Sequence, residues 1–173
     1  MLFIITMLYG CGAAHVRTDV VSSDIHDYDQ VYISEVKVYS EEDGADQNEE
    51  LQAEMKVWEA FSRTELENYV NESHYELLHQ PPGSMVKALI LSLDIKMTYG
   101  NRALRYWVGF GAGKGGVDSV LSVTDNQTGE DKLRVVADSD MAVGAFGGDM
   151  EAVLKKNIRA LVDQYPSAPD EDS

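Results

Sequence analysis

The chain has 173 residues, 44% of them hydrophobic, which suffices for one domain around one core. Its 30 acidic residues against 14 basic ones give a formal net charge of −16. That balance excludes a nucleic-acid surface, which needs clustered Lys and Arg, and a purely electrostatic grip on anionic lipid.

Residues 1–10 (MLFIITMLYG) form an uncharged apolar run. It is far shorter than the roughly 20 residues that span a bilayer as a helix, but it suits the apolar region of a secretory signal. Leu8-Tyr9-Gly10-Cys11 follows and resembles the bacterial lipobox. The resemblance implies a lipid on the Cys11 thiol, cleavage before it and acylation of the new N-terminus. Tyr9 is bulkier than usual, and the first basic residue is Arg17, so the expected start codon lies upstream. Gly12 rather than Asp follows the cysteine, which points to the periplasmic face of the outer membrane. Cys11 is the sole cysteine, so no intramolecular disulfide and no cysteine-built zinc site can form.

Residues 11–28 read as a lipidated, polar tether, and residues 29–165 as a single domain. Gln30–Tyr39 is β-branched and aromatic, hence a strand. Glu49–Glu72 carries Leu51, Met55, Trp58, Phe61, Leu66 and Tyr69 at helical spacing. Pro81-Pro82-Gly83 breaks the chain. Over Met85–Tyr99, Leu89, Leu91, Leu93, Ile95 and Met97 alternate with more polar residues, the period of a strand with one buried face. Val117–Thr124 and Lys132–Met141 are two more strands around the turn Asp125-Asn126-Gln127-Thr128-Gly129. Asp149 caps a last helix that turns Val153, Leu154, Ile158, Leu161 and Val162 inward; Pro166 stops it, and residues 166–173 form an acidic, disordered tail. The expected fold is α/β (α+β): one mixed sheet of about four strands, two main helices on one face, order β-α-β-β-β-α.

The stretch from Asn101 to Gly116 is the most distinctive. Gly113-Lys114 imitates a phosphate-binding loop, but Val108 replaces its first glycine and Gly115 its Ser or Thr. Gly111, Gly113 and Gly116 match a dinucleotide fingerprint, yet a strand rather than a helix follows. Gly109 and Gly113 would share a helix face with small residues. A backbone crossing or bulge with no room for side chains is the structural alternative. Arg102 and Arg105 are rare positive charges beside Tyr106, Trp107 and Phe110, a composition suited to an interface; internal pairing with the acidic surface is equally compatible.

The block GNRALRY followed by VGFGAGK (residues 100–106 and 108–114) resembles the signature of an uncharacterised family of bacterial lipoprotein domains, known only as a domain of unknown function. The Thr128-Gly129 turn and the stretch from Gly144 to Gly148 fit the same pattern. The resemblance covers roughly residues 20–164 and implies an envelope α/β lipoprotein domain without an assigned activity.

The remaining candidates are thin. His74 and His79 are five apart, not on one helical face. Asp138, Asp140 and Asp149 lack the spacing and glycine of a calcium loop. Neither a catalytic set, a metal site nor a cofactor is expected. The expected function is a non-enzymatic, membrane-anchored interaction or assembly module. Cys11 is its lipidation site, and Arg102, Arg105, Tyr106, Trp107 and Phe110 are its contact residues around the glycine loop (Gly109, Gly111, Gly113, Lys114, Gly115, Gly116). The expected partners are the membrane and an envelope protein or a second copy. The alternative is a periplasmic ligand-binding or hydrolytic domain with a pocket near the glycine run and Asp138 or Asp140.

Overall fold

The computed structural model describes residues 15–41, 44–98, 115–141 and 150–165. The strands are β1 (His15–Val21), β2 (Gln30–Tyr39), β3 (Glu76–Leu78), β4 (Leu89–Thr98), β5 (Gly115–Asp125) and β6 (Asp131–Met141). The two helices are α1 (Glu49–Glu72) and α2 (Met150–Val162). The strands make one mixed sheet in the order β1-β6-β5-β4-β2-β3. β2 runs parallel to β3 and β4; the other neighbours are antiparallel.

Alternation decides which face is buried. Leu89, Leu91, Leu93, Ile95 and Met97 of β4 are all at most 1% exposed. Val31, Ile33, Val36 and Val38 of β2, Val117, Leu121 and Val123 of β5, and Leu133, Val135 and Ala137 of β6 join them. Both helices cover this face. α1 packs on β2 and β3, α2 on β5 and β6, and the helices touch each other. Lys155 of α2 lies 3.6 Å from Glu65 of α1 and 5.6 Å from the centre of the Phe61 ring.

α1 begins where its sequence supplies a cap. The Asn48 side chain accepts from Leu51 N–H at 3.1 Å, and Glu49 and Glu50 add negative charge to the positive helix end. Met55, Leu66 and Val70 are buried; Leu51, Trp58, Phe61 and Tyr69 pack half-buried around them. On α2, Leu154, Ile158, Leu161 and Val162 are buried and Val153 is half-buried. The Tyr165 ring, just beyond the helix, meets Tyr75 edge-to-face at 5.3 Å.

The mixed α+β architecture with one sheet and two helices agrees with the sequence pattern, but the sheet has six strands rather than about four. β1 lies inside the stretch read as a tether. It pairs antiparallel with β6, with His15 opposite Asp138 and Val21 opposite Leu133. Its side chains are almost all exposed, so backbone hydrogen bonding holds it and no apolar period marks it. β3 is only three residues long, too short for alternation to register. The strand expected from Met85 starts at Leu89 instead. Asn126 Nδ2 donates to Gly83 O and to Val86 O, both at 2.9 Å, and holds residues 83–86 as a loop against the hairpin turn.

That turn needs its glycine. Gly129 has φ +72°, and no atom would lie within 4 Å of an added Cβ. Gly129→Ala therefore meets a conformational penalty only. It is expected to lower the unfolding free energy by about 1 kcal/mol in urea melts, with unchanged far-UV circular dichroism.

Candidate functional site

One end of the sheet gathers the points where the most distinctive sequence segments join the fold. Thr98, the last residue of β4, pairs with Gly116, and Gly116 pairs with Asp140. Gly115 pairs with Met141 in the adjacent rung. Residues 99–114 thus leave and re-enter the sheet at the end where residues 142–149 leave it. β1 starts at this end too, since His15 lies opposite Asp138. In sequence, Cys11 stands four residues before His15, the first residue of β1.

The expected contact residues Arg102, Arg105, Tyr106, Trp107 and Phe110, the loop residues Gly109, Gly111, Gly113 and Lys114, and Cys11 itself lie outside the described residues. Gly115 and Gly116 open β5. A Cβ on Gly116 would sit 3.5 Å from Ser139 O, an ordinary contact, so no backbone crossing excludes a side chain there.

Among the described residues no helix or strand covers the sheet face opposite the helices, and its side chains are mostly polar. Register places Lys37, Asp94, Val120, Val136 and Arg17 in one cross-strand row, and Tyr39, Lys96, Asp118, Asp138 and His15 in the next row toward the gathering end. Lys96 Nζ is 2.9 Å from Asp118 and 3.9 Å from Glu41. Its hydrogen bond to Asp118 raises its pKa above the usual lysine value. Basic residues Arg17, Lys37, Lys96 and Arg134 interleave with Glu35, Asp94, Asp118 and Asp138. Arg17, one of the rarer positive charges, is engaged locally, 2.6 Å from Asp19.

The opposite end of the sheet is locked by buried hydrogen bonding. Tyr28 Oη donates to Asp125 Oδ2 at 2.5 Å, while Asp125 Oδ1 accepts from Gln127 N, Thr128 N and Thr128 Oγ1 at 2.6–2.9 Å. Burial works against the Asp125 charge, but these bonds outweigh it and hold the carboxyl at about 2. Burial, reinforced by the bond to Asp125, pushes the Tyr28 phenol up to about 12. Lys132 Nζ reaches Asp24 at 2.8 Å and Glu130 at 2.9 Å, and both bonds raise its pKa. The turn aspartate was legible only as hairpin chemistry; its partner Tyr28 stands 97 positions earlier, and no local signal links the two.

A cavity of about 150 Å³ lies where β3 ends, between Tyr32 and Ser34 of β2, Leu78 and His79, and Arg63 and Glu67 of α1. This is the β3 edge of the sheet, remote in strand order from Asp138 on β6, where the alternative reading expected a pocket. Arg63 Nη1 donates to Ile33 O at 3.4 Å and lies 3.8 Å from Glu67. His74 stacks on Tyr75 with ring centres 3.9 Å apart. Among the described residues no group of three or more His, Cys, Asp or Glu is placed to hold a metal ion. Among them, too, no helix is long and apolar enough to cross a membrane.

A family model described as a domain of unknown function, DUF4410, matches residues 26–148. No curated protein matches the chain. Among solved structures, the PelC dodecamer from Paraburkholderia phytofirmans is similar at 11% identity and a TM-score of 0.49, over 86% of this chain and 94% of that one. A leucine-to-methionine variant of that dodecamer is similar at 12% identity and the same TM-score and coverage. The chain belongs to the DUF4410 family.

Proposed function

We propose that this DUF4410 member is a membrane-tethered interaction module of the bacterial envelope, anchored by a lipid on Cys11 on the periplasmic face of the outer membrane. One observation carries the reading. The segment that bears Cys11 and the segment that bears Arg102, Arg105, Tyr106, Trp107 and Phe110 join the fold at the same end of the sheet, through His15, Thr98 and Gly115. A lipid on Cys11 would bring the aromatic and arginine side chains of that block to the headgroup region. There, rings with one apolar and one polar side and guanidinium groups are favoured. The hairpin end, with Asp125 and Lys132, would then face away from the membrane. A lipid on the thiol together with acylation of the new N-terminus would give a stable anchor, and the block beside it would add contacts to the membrane or to an envelope partner.

The test is metabolic labelling with a palmitate analogue, wild type beside Cys11→Ser, expressed with the upstream reading frame. A photo-crosslinking residue at position 107 accompanies it. The expected outcome is label on the wild type alone, with Cys11-dependent crosslinks from position 107 to lipid or an envelope protein. Absence of label on the wild type overturns the anchor. Label without Cys11-dependent crosslinks overturns the contact block.

A further inference from the structure

β2 is long and its outer neighbour is short. β3 pairs only with Gln30, Val31 and Tyr32. From Ile33 to Tyr39 the outer edge of β2 has no strand beside it among the described residues. Such an edge presents a row of backbone donors and acceptors ready for another strand. A bulge at Ser34 interrupts the pairing of β2 with β4, and Ser34 Oγ donates to Leu91 O at 2.9 Å. Glu35 and Lys37 beyond it are exposed on the open face, while Val36 and Val38 point to the core.

We infer that the Ile33–Tyr39 edge of β2 pairs antiparallel with the same edge of a second copy, about a two-fold axis through Val36, to give one continuous sheet across a dimer. Two features select this occupant. Val36 is the midpoint of the unpaired stretch. In that register Glu35 of one copy stands directly opposite Lys37 of the other, twice by symmetry, at the roughly 4.5–5.5 Å Cβ separation where opposite charges stabilise a pair and like charges destabilise it. Sliding the register by two residues in either direction puts Glu35 opposite Glu35 or Lys37 opposite Lys37. A parallel arrangement does both. The edge is thus guarded against arbitrary strands by its charges and its bulge, and matched to itself in one register.

The test uses the full chain with Cys11→Ser, so that no acyl chain adds self-association, in sedimentation equilibrium and light scattering at micromolar concentration. The parent is expected to be a dimer. Glu35→Lys and Lys37→Glu, each at an exposed position, should retain the circular dichroism of the parent and weaken association by at least about tenfold in Kd. Mixing those two variants should restore a dimer, because each cross-strand pair would then again join one lysine to one glutamate. Combining both substitutions in one chain should restore it for the same reason. A parent that is monomeric throughout the range overturns the proposal. So does a dimer indifferent to the single reversals, or one that the mixture and the combined variant fail to restore.

Discussion

Asn157→Leu is expected to lower the unfolding free energy by about 3–4 kcal/mol, the largest single effect anticipated in this fold. Asn157 is fully buried on α2 and faces the sheet. Its Nδ2 donates to Ser119 Oγ at 3.0 Å and to Val117 O at 3.1 Å, and its Oδ1 accepts from Ser139 Oγ at 2.9 Å. Ser119 and Ser139 are themselves buried on neighbouring strands. Leucine nearly fills the same volume, so little of the loss comes from a cavity. It comes mainly from two buried hydroxyls that lose their partner, each costing about 1–3 kcal/mol, and from a carbonyl that loses its side-chain donor. The triple variant Asn157→Leu/Ser119→Ala/Ser139→Ala removes the stranded hydroxyls together with their partner. It should recover most of the loss, leaving about 1 kcal/mol for the Val117 carbonyl. Urea denaturation of the three proteins checks this. A loss below about 1 kcal/mol for Asn157→Leu would mean that water reaches the cluster and that it does not seat the helix.

The second large effect belongs to Asp125. Asp125→Ala removes the common acceptor of Tyr28 Oη, Gln127 N, Thr128 N and Thr128 Oγ1. It is expected to cost about 3 kcal/mol at neutral pH, since bonds to a charged acceptor are stronger than neutral ones and the Tyr28 hydroxyl is left buried. The effect depends on pH with a definite sign. The folded carboxyl titrates at about 2 against 3.8 for the free group. A depressed carboxyl contributes stability above the unfolded value and loses it as pH falls from 3.8 through 2. The amount at stake is up to about 2 kcal/mol. Urea melts of wild type and Asp125→Ala should therefore differ most near neutral pH, and the gap should narrow by that amount toward about pH 2. A gap that stays constant over that window would place the stabilising role of Asp125 in its shape rather than its charge. Tyr28→Phe separates the two halves of the network. It should cost less than Asp125→Ala, because the turn amides keep their acceptor.

Much of the fold was legible along the chain because the forces that shape those parts are local. The β4 alternation from Leu89 to Met97 named a buried face, and the spacing from Leu51 to Tyr69 named α1 within the bounds it adopts. Asp125 to Gly129 carried its own turn chemistry, down to the glycine at positive φ. Two strands were missed. β1 buries almost nothing and is held by its backbone ladder to β6, while β3 is too short to show a period. Backbone hydrogen bonding is common to every sequence, so it leaves no mark in residue type. The polar core positions Ser119, Ser139 and Asn157 were equally silent, because a serine in a strand or an asparagine in a helix reads as solvated until its partner is known.

Sequence by itself determined a mixed α+β domain with one sheet and two amphipathic helices, an acidic surface, and the lipobox-like run on which the proposed anchor rests. Each of these follows from residue type at short range, through period, charge or motif. Only the tertiary structure decided the sheet order, and with it three further features. The segments flanking Cys11 and the arginine–aromatic block share one end; Tyr28 meets Asp125; and the β2 edge ends up beside a strand too short to cover it. Strand order is set by the joint packing of side chains far apart in the chain, and no local window of the sequence contains that information.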